Sequence, residues 1–151
     1  MRRYDSTSWT LVAGAAAGDE ACREAFSCRY APVIRAYLAA RWKVPFECDE
    51  VTEGAHEVFL QCFRQGGALT RLESDRPGGF RAYLCGVIQN VALMIERRAR
   101  RRREVYGESV YVPERLEHDE ASLSQAFDHA WAEMIAREAR ALQEKRASEA
   151  P

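Results

Sequence analysis

No apolar run in this chain approaches the roughly 20 residues that cross a bilayer, and the start Met1-Arg2-Arg3-Tyr4-Asp5 leads into no apolar stretch of signal-peptide type. These two absences predict no membrane insertion and place the chain in the cytoplasm. Histidine is scarce: His56, His118 and His129 are scattered, and the five cysteines (Cys22, Cys28, Cys48, Cys62 and Cys85) form no CxxC pair. Zinc sites need clustered ligands, so no metal is expected, and the cysteines read as free thiols in apolar surroundings. HExxH, GxSxG and a phosphate-binding glycine loop with its lysine are all missing, which argues against an enzyme and gives no cofactor. No segment alternates with period two over any length, so sheet architectures are excluded and the class is all-α.

What is present is helical periodicity and one concentrated charge. A first helix is expected from near Ser6–Ser8 to Ala17, stopped by Gly18, with Asp19 capping the second. The second carries Phe26, Tyr30, Ile34, Tyr37 and Leu38, holds a kinking Pro32 and ends at Pro45. Asp49 is the expected cap of a third, whose apolar face is Val51, Ala55, Val58, Phe59, Cys62 and Phe63 and which Gly66-Gly67 closes. A polar connection through Pro77-Gly78-Gly79 leads to a fourth helix with Phe80, Leu84, Val87, Ile88, Val91 and Ile95. Extended to Arg103 it would be about 36 Å long, its second half projecting from the core or lying along its edge. Residues 105–119 read as a linker. Ser122-x-x-Gln125 resembles a capping box opening a fifth helix with Leu123, Phe127, Trp131, Ile135 and Leu142, and Arg146 to Pro151 reads as frayed. The expected organisation is a compact bundle of about four helices over residues 6–104, the linker, and one further amphipathic helix over 120–145.

Six arginines fall within the seven residues Arg97 to Arg103. From Phe80 to Glu104 the balance is +5 in a chain of net charge −1, so the remainder carries −6. A basic block on an otherwise acidic protein is an electrostatic footprint for nucleic acid. The competing reading is a solubilising charge run. Beside the block, Arg81, Tyr83, Gln89 and Asn90 add groups that neutralise phosphate, stack on bases or bond base edges. The third helix is acidic at its start, through Glu47, Asp49, Glu50, Glu53 and Glu57. That pattern suits either a solvated face at the positive end of a helix dipole or a docking face for a basic partner, with Phe59 or Leu60 at its edge.

Three stretches together resemble a family. Thr52-Glu53-Gly54-Ala55-His56-Glu57-Val58-Phe59-Leu60 is similar to the E-D-L-V-Q-E-V-F-L signature of the extracytoplasmic-function group of bacterial sigma factors. Phe80-Arg81-Ala82-Tyr83-Leu84, then Val87-Ile88-Gln89-Asn90-Val91-Ala92 and Arg97-Arg98, resembles that group's F-R-A-W-L…I-A-R-N-x-A…R-R pattern. The opening Ala17-Gly18-Asp19-Glu20-Ala21…Phe26…Tyr30 looks like its G-D-x-x-A…F…Y start. Departures are Gly54 for the usual Leu, His56 for Gln, Gln89 for Arg and Met94 for Asp.

The resemblance implies a domain that binds core RNA polymerase and recognises and melts the minus-ten promoter element. Glu53, His56, Glu57 and Leu60 would dock on the clamp helices of the largest catalytic subunit. Phe80, Arg81 and Tyr83 would lie near the melting point, with Gln89, Asn90, Arg97, Arg98 and Arg101 along the recognition helix, on the non-template single strand of promoter DNA. An anti-sigma protein is a further candidate partner. The family also carries a second helical domain with a helix-turn-helix. The fifth helix resembles its lead-in, and a truncated chain is the expected reason that the rest is missing. Two rivals remain open: a sigma-like helical module that binds a protein regulator and not promoter DNA, and a nonspecific nucleic-acid binder using the arginine block alone.

Overall fold

A computed structural model describes residues 8–73, 75–107 and 120–150. Five helices follow in order, α1 (Trp9–Ala17), α2 (Glu20–Trp42), α3 (Asp49–Phe63), α4 (Gly79–Tyr106) and α5 (Glu120–Glu149), and no strand occurs among the described residues. Within that set no helix is long and apolar enough to cross a membrane.

The α1–α2 corner is built as its sequence predicts. Ser8 Oγ accepts the Leu11 N–H at 3.4 Å. Gly18 turns the chain at φ 95°, a conformation that costs glycine little, and its N–H donates to Ala15 O. Asp19 Oδ1 accepts the Cys22 N–H at 2.9 Å, and that bond holds the Asp19 carboxyl below its ordinary pKa. Helix α2 runs unbroken through Pro32 and ends where Lys43 turns left-handed at φ 51°, two residues before Pro45.

Other boundaries differ from expectation. Asp49 is the first residue of α3 and not its cap; Cys48 holds that place, with no side-chain capping bond. Asp49 and Glu50 still favour the positive end of the helix. The connection after α3 is less polar in effect than in composition. The N–H groups of Ala68 and Leu69 donate to Gln61 O and Cys62 O, and both side chains are buried. Helix α4 continues to Tyr106, about 42 Å in all, past the expected start of the linker at 105. Residues 108–119 of that linker lie outside the described residues. Helix α5 already includes Ser122 and Gln125 and extends to Glu149, so that pair is not its cap and the segment after Arg146 is helical through Glu149.

Helix α2 packs against each of the other four. Phe26 and Tyr30 sit at its centre with no exposed surface. The Phe80 ring of α4 meets Tyr30 at 5.2 Å and Phe26 at 6.0 Å between centroids, both edge-on, the arrangement that ring quadrupoles favour. Trp9 of α1 and Phe63 of α3 complete the cluster at 6.2 Å from Phe80 and 5.5 Å from Phe26. Arg23 clamps the same corner, donating to Ala15 O at 3.0 Å and Phe63 O at 2.8 Å. Burial pushes the Cys62 thiol up to about 12, so it behaves as a small apolar side chain, whereas Cys28 is exposed.

At the far end of α2 the contact with α4 is ionic. Arg41 and Glu96 are both buried and meet as a fork, Nε to Oε2 at 2.6 Å and Nη2 to Oε1 at 2.9 Å. Trp42 Nε1 donates to Glu96 Oε2 at 2.8 Å, and Arg41 Nη1 to Tyr37 OH at 3.0 Å. Burial opposes the Arg41 charge, but these acceptors outweigh it and leave its pKa above the ordinary value.

Helix α5 belongs to the same core. It buries Leu123, Phe127, Ala130, Trp131 and Met134, with the Trp131 ring 5.7 Å from Tyr30. Arg29 Nη2 donates to Glu138 at 3.0 Å and Arg81 Nη1 to Asp128 at 2.7 Å. Leu142, expected on the apolar face, is half exposed. Truncating a buried Trp costs about 3–5 kcal/mol. Trp131→Ala should lower the unfolding free energy of the whole domain by that order in urea titration, in one transition seen by both circular dichroism and fluorescence. A separate early loss of α5 alone would contradict this shared core.

Candidate nucleic-acid and partner-binding surfaces

Helix α4 divides its length between two faces. Leu84, Ile88, Ala92, Glu96 and Ala99 recur at helical steps and are buried. On the opposite side Tyr83, Val87, Asn90, Met94, Arg97 and Arg101 follow one another at alternating steps of four and three, which places them on one stripe. Asn90, Arg97 and Arg101 are exposed, and Tyr83, Val87 and Met94 half-buried. Arg98 stands beside the stripe and is also exposed.

The upper part of this stripe forms one wall of a groove of about 430 Å³, lined by Gln61, Arg71, Arg76, Tyr83, Asn90 and Met94 among others. The Tyr83 hydroxyl donates to Ala68 O at 2.5 Å, so the ring is held by the buried turn of the α3–α4 connection. The Arg76 guanidinium lies 4.9 Å from the Tyr83 ring centroid. Arg71 Nε donates to Gly67 O at 3.4 Å. Two guanidiniums, two carboxamides and one aromatic ring thus converge on a single concavity. Arg71 and Arg76 were hidden in what reads as a polar loop; their spacing just ahead of Phe80 was the available signal.

The other residues singled out on this helix lie elsewhere. Phe80 is 1 % exposed and belongs to the aromatic core, so its expected place at a strand-contacting surface is corrected: its ring is spent on Tyr30, Phe26 and Trp9. Its position at the head of an amphipathic helix suits either role in sequence. Arg81 is half exposed and directed to Asp128 of α5, and Gln89 is partly buried; neither lines the groove.

On α3, Glu53, His56, Glu57 and Leu60 share one face, and Leu60 is 56 % exposed. Next to it, Ser27, Ala31 and Arg35 of α2 with His56, Phe59 and Leu60 line a shallow groove of about 340 Å³. The acidic face and the basic stripe touch at one point, where Arg98 Nη2 lies 3.5 Å from Glu57 Oε1. The pair is partly exposed, so its contribution to stability is small. Across α3 from this face, Gly54 is buried. A Cβ there would sit 2.8 Å from Leu38 Cδ1 and 3.0 Å from the Trp42 ring. Among the described residues no group of three His, Cys, Asp or Glu is placed to hold a metal ion.

Compared with known proteins, the chain matches no family model, no curated protein and no solved structure.

The contacts at Gly54 reverse the usual helix-propensity sign. Alanine gains roughly 1 kcal/mol over glycine within a helix, but overpacking a core costs about 1–3 kcal/mol. Gly54→Ala should therefore be net destabilising by about 1 kcal/mol, with a change in tryptophan emission as Trp42 shifts. A stabilised variant with unaltered emission would contradict the packing described.

Proposed function

We propose that this chain acts as a sigma-factor domain of the extracytoplasmic-function type, docking on core RNA polymerase and holding the unpaired non-template strand of the minus-ten element. The observation that carries the reading is the unbroken stripe from Tyr83 to Arg101, with a polar groove at one end and arginines at the other. Its length is about 27 Å, enough for several nucleotides of extended strand. In this reading Arg97, Arg98 and Arg101 neutralise phosphates, releasing counterions. A flipped base enters the groove, where Asn90 and Gln61 supply donors and acceptors and Arg76 with Tyr83 supplies a stacking surface. Unstacking a base costs a few kcal/mol, which such contacts offset. The resemblance of Thr52–Leu60 to the polymerase-docking signature supports assigning the acidic α3 face to the clamp helices of the largest catalytic subunit. The mechanism is binding without catalysis.

A second reading is a sigma-like module that binds a regulator and not promoter DNA. It is favoured by the commitment of Phe80 to the core and of Arg81 to Asp128, which removes two expected strand contacts.

The two readings predict different salt behaviour. Arg97→Glu with Arg101→Glu should flatten the salt dependence of single-strand binding by roughly 1.4 in log–log slope, about 0.7 for each phosphate left without its arginine, while leaving polymerase capture intact. Glu57→Arg should do the converse in a pull-down with core polymerase. If neither charge reversal alters complex formation, the sigma-factor reading is wrong; salt-independent binding of a protein partner alone supports the module.

A further inference from the structure

The two halves of α4 are held in different ways. Its first half buries Phe80, Leu84, Ile88, Val91 and Ala92, an apolar seam fixed at five points. Beyond Ala92 only Glu96 and Ala99 are buried, with Met94 and Ile95 partly covered. In this arginine-bearing half the Glu96 carboxylate makes the buried ionic tie to α2, beside the partly exposed Arg98–Glu57 pair to α3.

Both oxygens of that carboxylate are engaged by directional bonds. Oε1 accepts from Arg41 Nη2, and Oε2 accepts from Arg41 Nε and Trp42 Nε1. A guanidinium fork requires its carboxylate to be nearly coplanar at a set distance, whereas an apolar contact tolerates rotation and sliding. Stability alone does not call for the charges, because a buried ion pair can often be replaced by apolar residues of similar volume without loss. Its distinct property is geometric. Arg97 follows Glu96 directly, and Arg101 lies five residues on, about 7.5 Å along the axis, so the angle at which Glu96 is clamped sets where both guanidiniums point.

We propose that Arg41 and Glu96 are positioning residues, which clamp the second half of α4 to α2 at the rotation its first half sets, so that Arg97 and Arg101 continue the line of Tyr83 and Asn90. The proposal rests on the nucleic-acid reading of that stripe. Neither residue touches the strand; each acts through the arginines that do.

The test compares the full chain with Arg41→Met/Glu96→Gln, in which the new amide oxygen can still accept the Trp42 N–H while both charges are gone. Arg41→Lys, which keeps the charge but loses the fork, serves as the milder variant and carries the test if the double variant does not fold. Two readouts are taken. Amide hydrogen exchange should quicken over residues 97–106 and stay unchanged in α2 and α3 away from the pair. Binding of a fluorescein-labelled mixed-sequence single-stranded DNA should lose about 0.7–1.4 of its log–log salt slope, as one or two arginines leave the strand, while the circular-dichroism spectrum is unaltered. Unchanged exchange in 97–106, or wild-type affinity and slope in a folded variant, overturns the proposal. If wild type itself binds no single strand, the nucleic-acid reading has failed, and the exchange data still decide whether the pair positions the helix.

Discussion

The edge-on packing of Phe26, Tyr30 and Phe80 is the contact on which the rest of the molecule depends. It joins α2 to α4 at the head of the latter, and Trp9, Phe63 and Trp131 close around it from α1, α3 and α5. Because Phe80 is consumed here, the apolar seam of α4 is fixed in rotation from its first turn. Tyr83, about five-sixths of a turn further on, is thereby delivered to the outer side, where the α3–α4 connection receives its hydroxyl.

A second chain of contacts runs from α3 to the arginine block. The absence of a side chain at Gly54 admits the Trp42 ring, the Trp42 N–H reaches Glu96, and Glu96 is gripped by Arg41. The glycine at a position where the resembling family has leucine is therefore a packing choice. It trades helix propensity for a large aromatic neighbour that also serves as a hydrogen-bond donor. Glu57 and Arg98 join the same two helices on the outside, so the acidic and basic surfaces keep a common edge while facing different directions.

What could be read without coordinates was mainly local. Ser8, Gly18 and Asp19 act within a few residues of themselves, and their roles follow from backbone geometry and short hydrogen bonds. Asn90, Arg97 and Arg101 were read together on the fourth helix and share a face by helical period, but Gln89, read with them, is partly buried and lines no part of the groove. Contacts between distant segments were not: Arg41 and Glu96 lie 55 residues apart, and nothing in either neighbourhood announces a buried pair. Phe80 was ambiguous for a chemical reason, since the flat ring that stacks on a base also packs in a core. Arg71, Arg76, Ala68 and Leu69 were obscured by a stretch rich in polar and turn residues, although its backbone folds back onto Gln61 and Cys62 and carries two side chains into the interior.

The central claim is that the outer face of α4 holds an unpaired strand with one base seated in the adjoining groove. Selection of random single-stranded DNA by the intact chain, followed by sequencing, tests it without assuming any promoter sequence. The account predicts a short enriched motif in which one position tolerates no abasic replacement, and loss of that preference in Asn90→Ala. Recovery of unenriched sequences, or a motif that survives Asn90→Ala unchanged, would contradict it.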